Sequence, residues 1–134
     1  DMVCIYCGGS TQVGNSRLQK KQNSVWRRRT CDYCGATVTT LEKVDLQSAI
    51  IVTRKSHHEP FSRDILLMTI HDSCRHRKNA LKDAVALTDT VITHLYPLIS
   101  DAALSRDTIV TETTKILRRF DKAAAVQYAA FHPL

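Results

Sequence analysis

The chain of 134 residues has no apolar run approaching the roughly 18–20 residues that a bilayer-spanning helix needs, so no membrane span is expected. It also lacks an apolar core behind its first charges, which argues against a secretory leader and for a cytoplasmic protein. Asp1, ahead of Met2, reads as a foreign addition and is set aside. The phosphate-cradling pattern GxxxxGK[ST] is absent, so ATP hydrolysis is not expected. No strand-turn-helix elbow surrounds any serine, and the six histidines fall into no catalytic grouping. Even on a strand His57 and His58 would diverge, and they have no partner at helical spacing, which leaves no second metal site. The length fits one ordinary domain or two small ones, not a large multidomain enzyme. Acidic residues are the minority, 13 Asp and Glu against 19 Lys and Arg, for a net charge of +6; this favours a polyanionic partner, nucleic acid first.

What the sequence does have begins with five cysteines, an odd number that argues against a disulfide framework in a cytosolic chain. Four fall into a repeated CxYCG pattern, at Cys4 and Cys7 and again at Cys31 and Cys34, with 23 residues between. Each CxxC makes a tight turn that aims two thiolates at one point, and the following glycine, Gly8 or Gly35, allows the positive φ such a turn needs. Two such turns make one tetrahedral zinc site. Four thiolates leave no position for water or substrate, so the zinc is structural. The alternatives are two redox pairs or four buried free thiols. Cys74, alone in an apolar helical pattern, reads as a small core residue.

The β-branched stretch from Thr37 to Leu41 reads as a strand, and residues 2–44 then form a zinc ribbon that must take most of its folding free energy from the metal. The first 44 residues hold seven Lys and Arg against three Asp and Glu, four of the six net charges. Arg17, Lys20, Lys21, Arg27, Arg28 and Arg29 are the candidate DNA-binding residues, since guanidinium forks hold phosphate oxygens or a guanine edge in bidentate fashion. On a strand, Arg27 and Arg29 share one surface while Arg28 points the other way. Trp26 either stacks on the nucleic acid or packs over the zinc site, and packing is preferred. A solvated charged face is the bland alternative for the arginine run.

Residues 46–134 read as a helical unit opened by a strand or hairpin. Ala49 to Thr53 is strand-like, and Arg54 to Glu59 reads as a polar turn closed by Pro60. Ser62 caps a helix with Leu66, Leu67, Ile70 and Cys74 on one face. A second helix carries Ala84, Leu87, Val91, Ile92, Leu95, Leu98 and Ile99, interrupted near its end by Pro97. Ser105 caps a third, with Ile109, Thr113, Ile116, Leu117 and Phe120 inward, and Ala123 to Ala130 make a fourth that ends before Pro133. The fold class is therefore α+β, a four-cysteine ribbon followed by a mainly helical domain.

With the parts in this order, the chain resembles the NrdR family of bacterial transcriptional repressors, which join a zinc ribbon to an ATP-cone domain. The resemblance rests on CIYCG at Cys4 to Gly8, NSR at Asn15 to Arg17 beside the family's DSR, WRRRTCDYCG at Trp26 to Gly35, and VTTLEKV at Val38 to Val44 beside FTTFE. Further on, HEPFSRDILL at His58 to Leu67 is similar to EPFDRxKLL, and RRFDKAAAVQYAAF at Arg118 to Phe131 to LDxxAYxRFASVY. It implies a non-enzymatic repressor of ribonucleotide reductase genes, nucleoid-associated, whose ribbon binds double-stranded promoter DNA. It also implies a homo-oligomerising cone whose assembly answers to ATP or dATP. The alternative is an adaptor whose ribbon binds another protein and whose cone only oligomerises. The departures cluster where nucleotide would bind. Thr53 stands where the cone's VxKRDG stretch has lysine, Lys55 and Ser56 where it has the acid and glycine, Ile65 where a lysine is usual, and Ala125 and Gln127 where tyrosine and arginine are usual. Two phosphate-neutralising cations are lost, each charged hydrogen bond being worth roughly 1.5–3 kcal/mol. Arg54, Lys55 and Glu59 remain as candidate nucleotide-binding residues.

Overall fold

A computed structural model describes all 134 residues and divides into two compact units, Asp1–Val44 and Asp45–Leu134. In the first, a three-stranded antiparallel sheet is formed in chain order by β1 (Thr11–Gln19), β2 (Ser24–Cys31) and β3 (Thr37–Lys43). β1 and β2 are a long hairpin, which accounts for the 23-residue gap between the cysteine pairs. A bulge between Val13 and Asn15 accommodates the extra residue Gly14. Apart from Cys4 and Cys31, no apolar side chain of this unit is buried. The burial that usually stabilises a domain is therefore missing here, and the site holding those thiols must compensate.

The second unit begins with a single helical turn, α1 (Leu46–Ala49), and a mixed sheet ordered β5-β4-β6. β4 (Ile51–Arg54) pairs antiparallel with β5 (His57–Pro60) and parallel with β6 (Ala103–Ser105). The strand expected over Ala49 to Thr53 is thus shifted, because Ala49 completes the short helix. The polar stretch Arg54 to Glu59 is mostly strand, with only Lys55 and Ser56 in the turn. β5 is an edge strand whose His57 and His58 face water, so its polarity reports exposure and not a loop. β6 follows a tight turn in which Asp101 and Ala102 take positive φ of 51° and 58°.

Four longer helices complete the unit. α2 (Arg63–Ser73) starts where the Ser62 hydroxyl accepts from the Ile65 amide at 3.2 Å. α3 (Ala80–Leu95) stops short of Leu98 and Ile99, which were expected to extend it. Pro97 has no amide to donate and its ring would crowd the carbonyl four residues back, so Tyr96–Leu98 tighten into a 3₁₀ turn. Ser105 caps α4 (Arg106–Phe120) through the Thr108 amide at 3.0 Å. Asp121 then ends α4 in an extended conformation and caps α5 (Lys122–Phe131), accepting from the Ala124 amide at 3.1 Å. The core gathers Phe61, Leu66, Ile70, Leu95, Leu104, Leu117 and Tyr128; each such side chain contributes roughly 1.5–3 kcal/mol by leaving water. Cys74 is fully buried among them, and burial pushes its thiol pKa up. Phe120, expected on the inner face, is half exposed, and the Arg77 guanidinium lies 4.2 Å over its ring. No helix is long and apolar enough to cross a membrane.

Candidate metal centre and nucleic-acid interface

Both knuckles are built the same way. In the first, the Cys4 amide donates to Gly9 O and the Gly8 amide to Cys4 O, each at 2.8 Å; in the second, Cys31 donates to Ala36 O at 2.8 Å and Gly35 to Cys31 O at 3.2 Å. Gly8 and Gly35 take φ of 77° and 73°, the left-handed turn that a side chain would strain. The turns aim backbone amides at sulfur. Tyr6 donates to Cys4 Sγ, Gly9 to Cys7 Sγ and Tyr33 to Cys31 Sγ, all at 3.4 Å.

The knuckles also clasp each other. The Asp32 amide donates to Ser10 O at 3.0 Å, and the Ser10 hydroxyl donates to Asp32 Oδ2 at 3.0 Å. The Tyr33 ring lies so close over Gly9 that a Cβ there would sit 2.5 Å from Cδ2. Neither Ser10 nor Gly9 is marked out by the cysteine pattern, and both matter to how the two turns meet.

As a result Cys4, Cys7, Cys31 and Cys34 bring their four Sγ atoms within 4.8 Å of one another. The closest approaches join the two turns, Cys7 to Cys31 at 3.5 Å and Cys4 to Cys34 at 3.7 Å. A tetrahedron of Zn–S bonds near 2.3 Å has sulfur edges of about 3.8 Å, so the site fits zinc in both donor chemistry and dimensions. Amides of Cys34 and Tyr33 lower the Cys31 thiol to about 6. The Ala36 amide also favours the Cys34 thiolate, but burial and hydrogen bonds with the other three sulfurs outweigh it and raise that thiol to about 11. Zinc would be held by all four as thiolates, and with the shell closed it supplies a cross-link and no open position for chemistry.

The expected DNA-binding residues lie on or beside the hairpin. Arg17 is on β1, Lys20 and Lys21 are in its turn, and Arg27, Arg28 and Arg29 run along β2. Arg27 Nη1 pairs with Glu42 Oε1 on β3 at 3.0 Å. Arg29 Nη1 donates to Thr11 Oγ1 at 3.2 Å, and its buried Nε has no partner. Trp26 is half-buried in register between Arg17 and Leu41. That places it on the sheet face opposite Cys31, so it does not cover the metal cluster as preferred from the sequence.

In the second unit, Val52, Arg54, Glu59, Ile65, Arg106 and Tyr128 help line a cavity of about 170 Å³. This is below the roughly 300–1,000 Å³ of small-molecule sites. Arg54 is held by Glu59 at 2.9 Å, and Arg106 donates to Pro133 O at 2.7 Å. Lys55 sits in the hairpin turn at φ 29° and is no strand neighbour of either. Both guanidinium groups beside the cavity are thus engaged within the protein.

Residues 2–42 match the family described as "Transcriptional repressor NrdR-like, N-terminal domain". Along nearly its whole length the chain is similar to proteins named "Transcriptional repressor NrdR". That of Symbiobacterium thermophilum is 31% identical, over 98% of this chain and 87% of the relative. Those of Chelativorans sp. and Caulobacter vibrioides are 33% and 30% identical, again over 98% of this chain and over 85% and 83% of theirs.

Proposed function

The chain belongs to the NrdR family of transcriptional repressors, and from that membership we propose that it represses transcription by occupying promoter DNA through a zinc-ordered ribbon. Residues 2–44 are the DNA-binding module, residues 46–134 the regulatory and oligomerising unit, and the target is a ribonucleotide reductase gene on the nucleoid, in the cytoplasm. The observation that carries this reading is the convergence of Cys4, Cys7, Cys31 and Cys34 at the base of the hairpin that bears Arg17, Lys20, Lys21, Arg27, Arg28 and Arg29. A cross-link there stiffens the strands that present the cations, and stiff cations meet a duplex with less ordering cost.

Repression then needs occupancy and no chemistry. The second unit contributes assembly, so that ribbons of a homo-oligomer engage more than one half-site. Control by ATP or dATP, which the resemblance implies, would act through Arg54, Lys55 and Glu59. Calorimetric titration with both, read also for change in assembly, decides between a sensing and a purely assembling unit.

The main test is fluorescence anisotropy of a labelled duplex from a ribonucleotide reductase promoter. Zinc-loaded protein should bind and lose on the order of a thousandfold affinity between about 50 and 200 mM salt, as several phosphate contacts require. Absence of binding at the lower salt would overturn the assignment and leave the protein-binding adaptor.

A further inference from the structure

We propose that the two faces of the ribbon sheet divide the arginine run: Arg28, together with Arg17 and Trp26, forms the surface that contacts the duplex, whereas Arg27 and Arg29 position the sheet. This rests on the DNA-binding reading above and sharpens it.

The register decides which residues share a face, because residues paired across antiparallel strands project to the same side and neighbours along a strand to opposite sides. Trp26 is paired with Arg17 and Leu41, and Arg28 with Asn15 and Thr39. One face therefore bears Arg17, Trp26, Arg28 and Lys43, the last opposite Ser24. None of its strand residues is acidic. Arg17 and Arg28 are exposed and make no side-chain hydrogen bond or ion pair within the protein. They are diagonal neighbours, about 7–8 Å apart at the backbone.

The other face is different in kind. Arg27 is paired with Ser16 and Thr40, and Arg29 with Val13 and Val38, so both share a side with Leu18, Val25 and Glu42. Arg27 is neutralised by Glu42, and Arg29 reaches Thr11, whose hydroxyl donates onward to Met2 O at 2.7 Å. Arg29 thereby joins β2 to the segment entering the first knuckle. A phosphate approaching this face would meet the Glu42 carboxylate, and either arginine would have to abandon an internal partner to receive it. On the first face the guanidinium groups are already available, beside a half-buried indole able to stack on sugar or base.

The test uses the full-length zinc-loaded protein and a mixed-sequence DNA duplex, with affinity measured across a salt series. Arg17→Ala and Arg28→Ala should each weaken binding about tenfold and reduce the slope of log affinity against log salt by about 0.9, one phosphate contact apiece. Glu42→Gln, which releases Arg27 without removing it, should leave both quantities within twofold of the parent. Arg27→Ala should leave the slope unchanged at unaltered zinc content. Duplex binding by the parent with an equal loss for Arg27→Ala and Arg28→Ala, or tighter binding by Glu42→Gln, would overturn the division alone. Failure of the parent itself to bind any duplex would overturn the DNA-binding reading beneath it.

Discussion

Arg77 donates through Nη1 to Asp121 Oδ2 at 2.9 Å, bridging the loop after α2 to the residue that both ends α4 and caps α5. The same carboxylate meets His76 Nε2 at 2.8 Å, while Arg77 Nε donates to Asp83 Oδ2 at 2.9 Å. Two helix ends and the loop between α2 and α3 therefore depend on one aspartate. Replacing Asp121 by Ala removes the α5 cap and leaves Arg77 with Asp83 alone, and a loss of about 1–2 kcal/mol is expected in urea unfolding of the helical unit.

The hydrogen bond from His76, the Ala124 amide and the Arg77 guanidinium hold the Asp121 carboxyl well below the usual carboxylate range. Its folded-state pKa is thus depressed relative to the unfolded chain. The stability it adds is present in full above the unfolded pKa near 4 and drains away as pH falls toward the folded one. The melting temperature of the helical unit should therefore fall below about pH 4–5, and Asp121→Asn should flatten that dependence. A parent and variant with parallel pH profiles would contradict this.

Metal removal should act on one unit only. The ribbon buries no apolar side chain beyond its cysteines, and structural zinc contributes roughly 10–16 kcal/mol in comparable small modules. A chelator should erase the amide chemical-shift dispersion of residues 2–44 and leave the signals of the helical unit, which has its own core, in place.

Gly35 has open space where a Cβ would go, yet its φ is 73°. Gly35→Ala should fold when zinc is abundant but pay the left-handed penalty of about 1 kcal/mol, seen as roughly fivefold weaker zinc affinity in competition with a chromophoric chelator.

In the helical core, Leu117 is fully buried. Truncation to Ala should cost about 2–5 kcal/mol in denaturant unfolding, the spread depending on how far the space collapses. The same change at exposed Val126 should be almost neutral.

Local signals carried furthest where chemistry is written in a short stretch. The CxYCG repeats, the serine caps of α2 and α4 and the apolar periodicity of the helices were all legible, because each depends on residues within a turn or two of one another. The errors came where a distant partner decided. His57 and His58 looked like turn residues until β4 was seen to pair with them, and β6 is three residues long and exists because Ile51, Val52 and Thr53 accept it as a parallel neighbour. Asp121 gave no hint of its role, since His76 and Arg77 lie more than forty positions away.

By its order of residues alone this protein specified a zinc-binding pair of turns, a basic hairpin between them and a set of amphipathic helices. Alternation along β2 even said that Arg28 opposes Arg27 and Arg29. Which of those faces is open to a partner depended on Glu42 and Thr11, brought alongside by strand register. Pairing and burial are properties of groups that meet only after folding, and that meeting left Arg28 facing water while its neighbours were engaged within the protein.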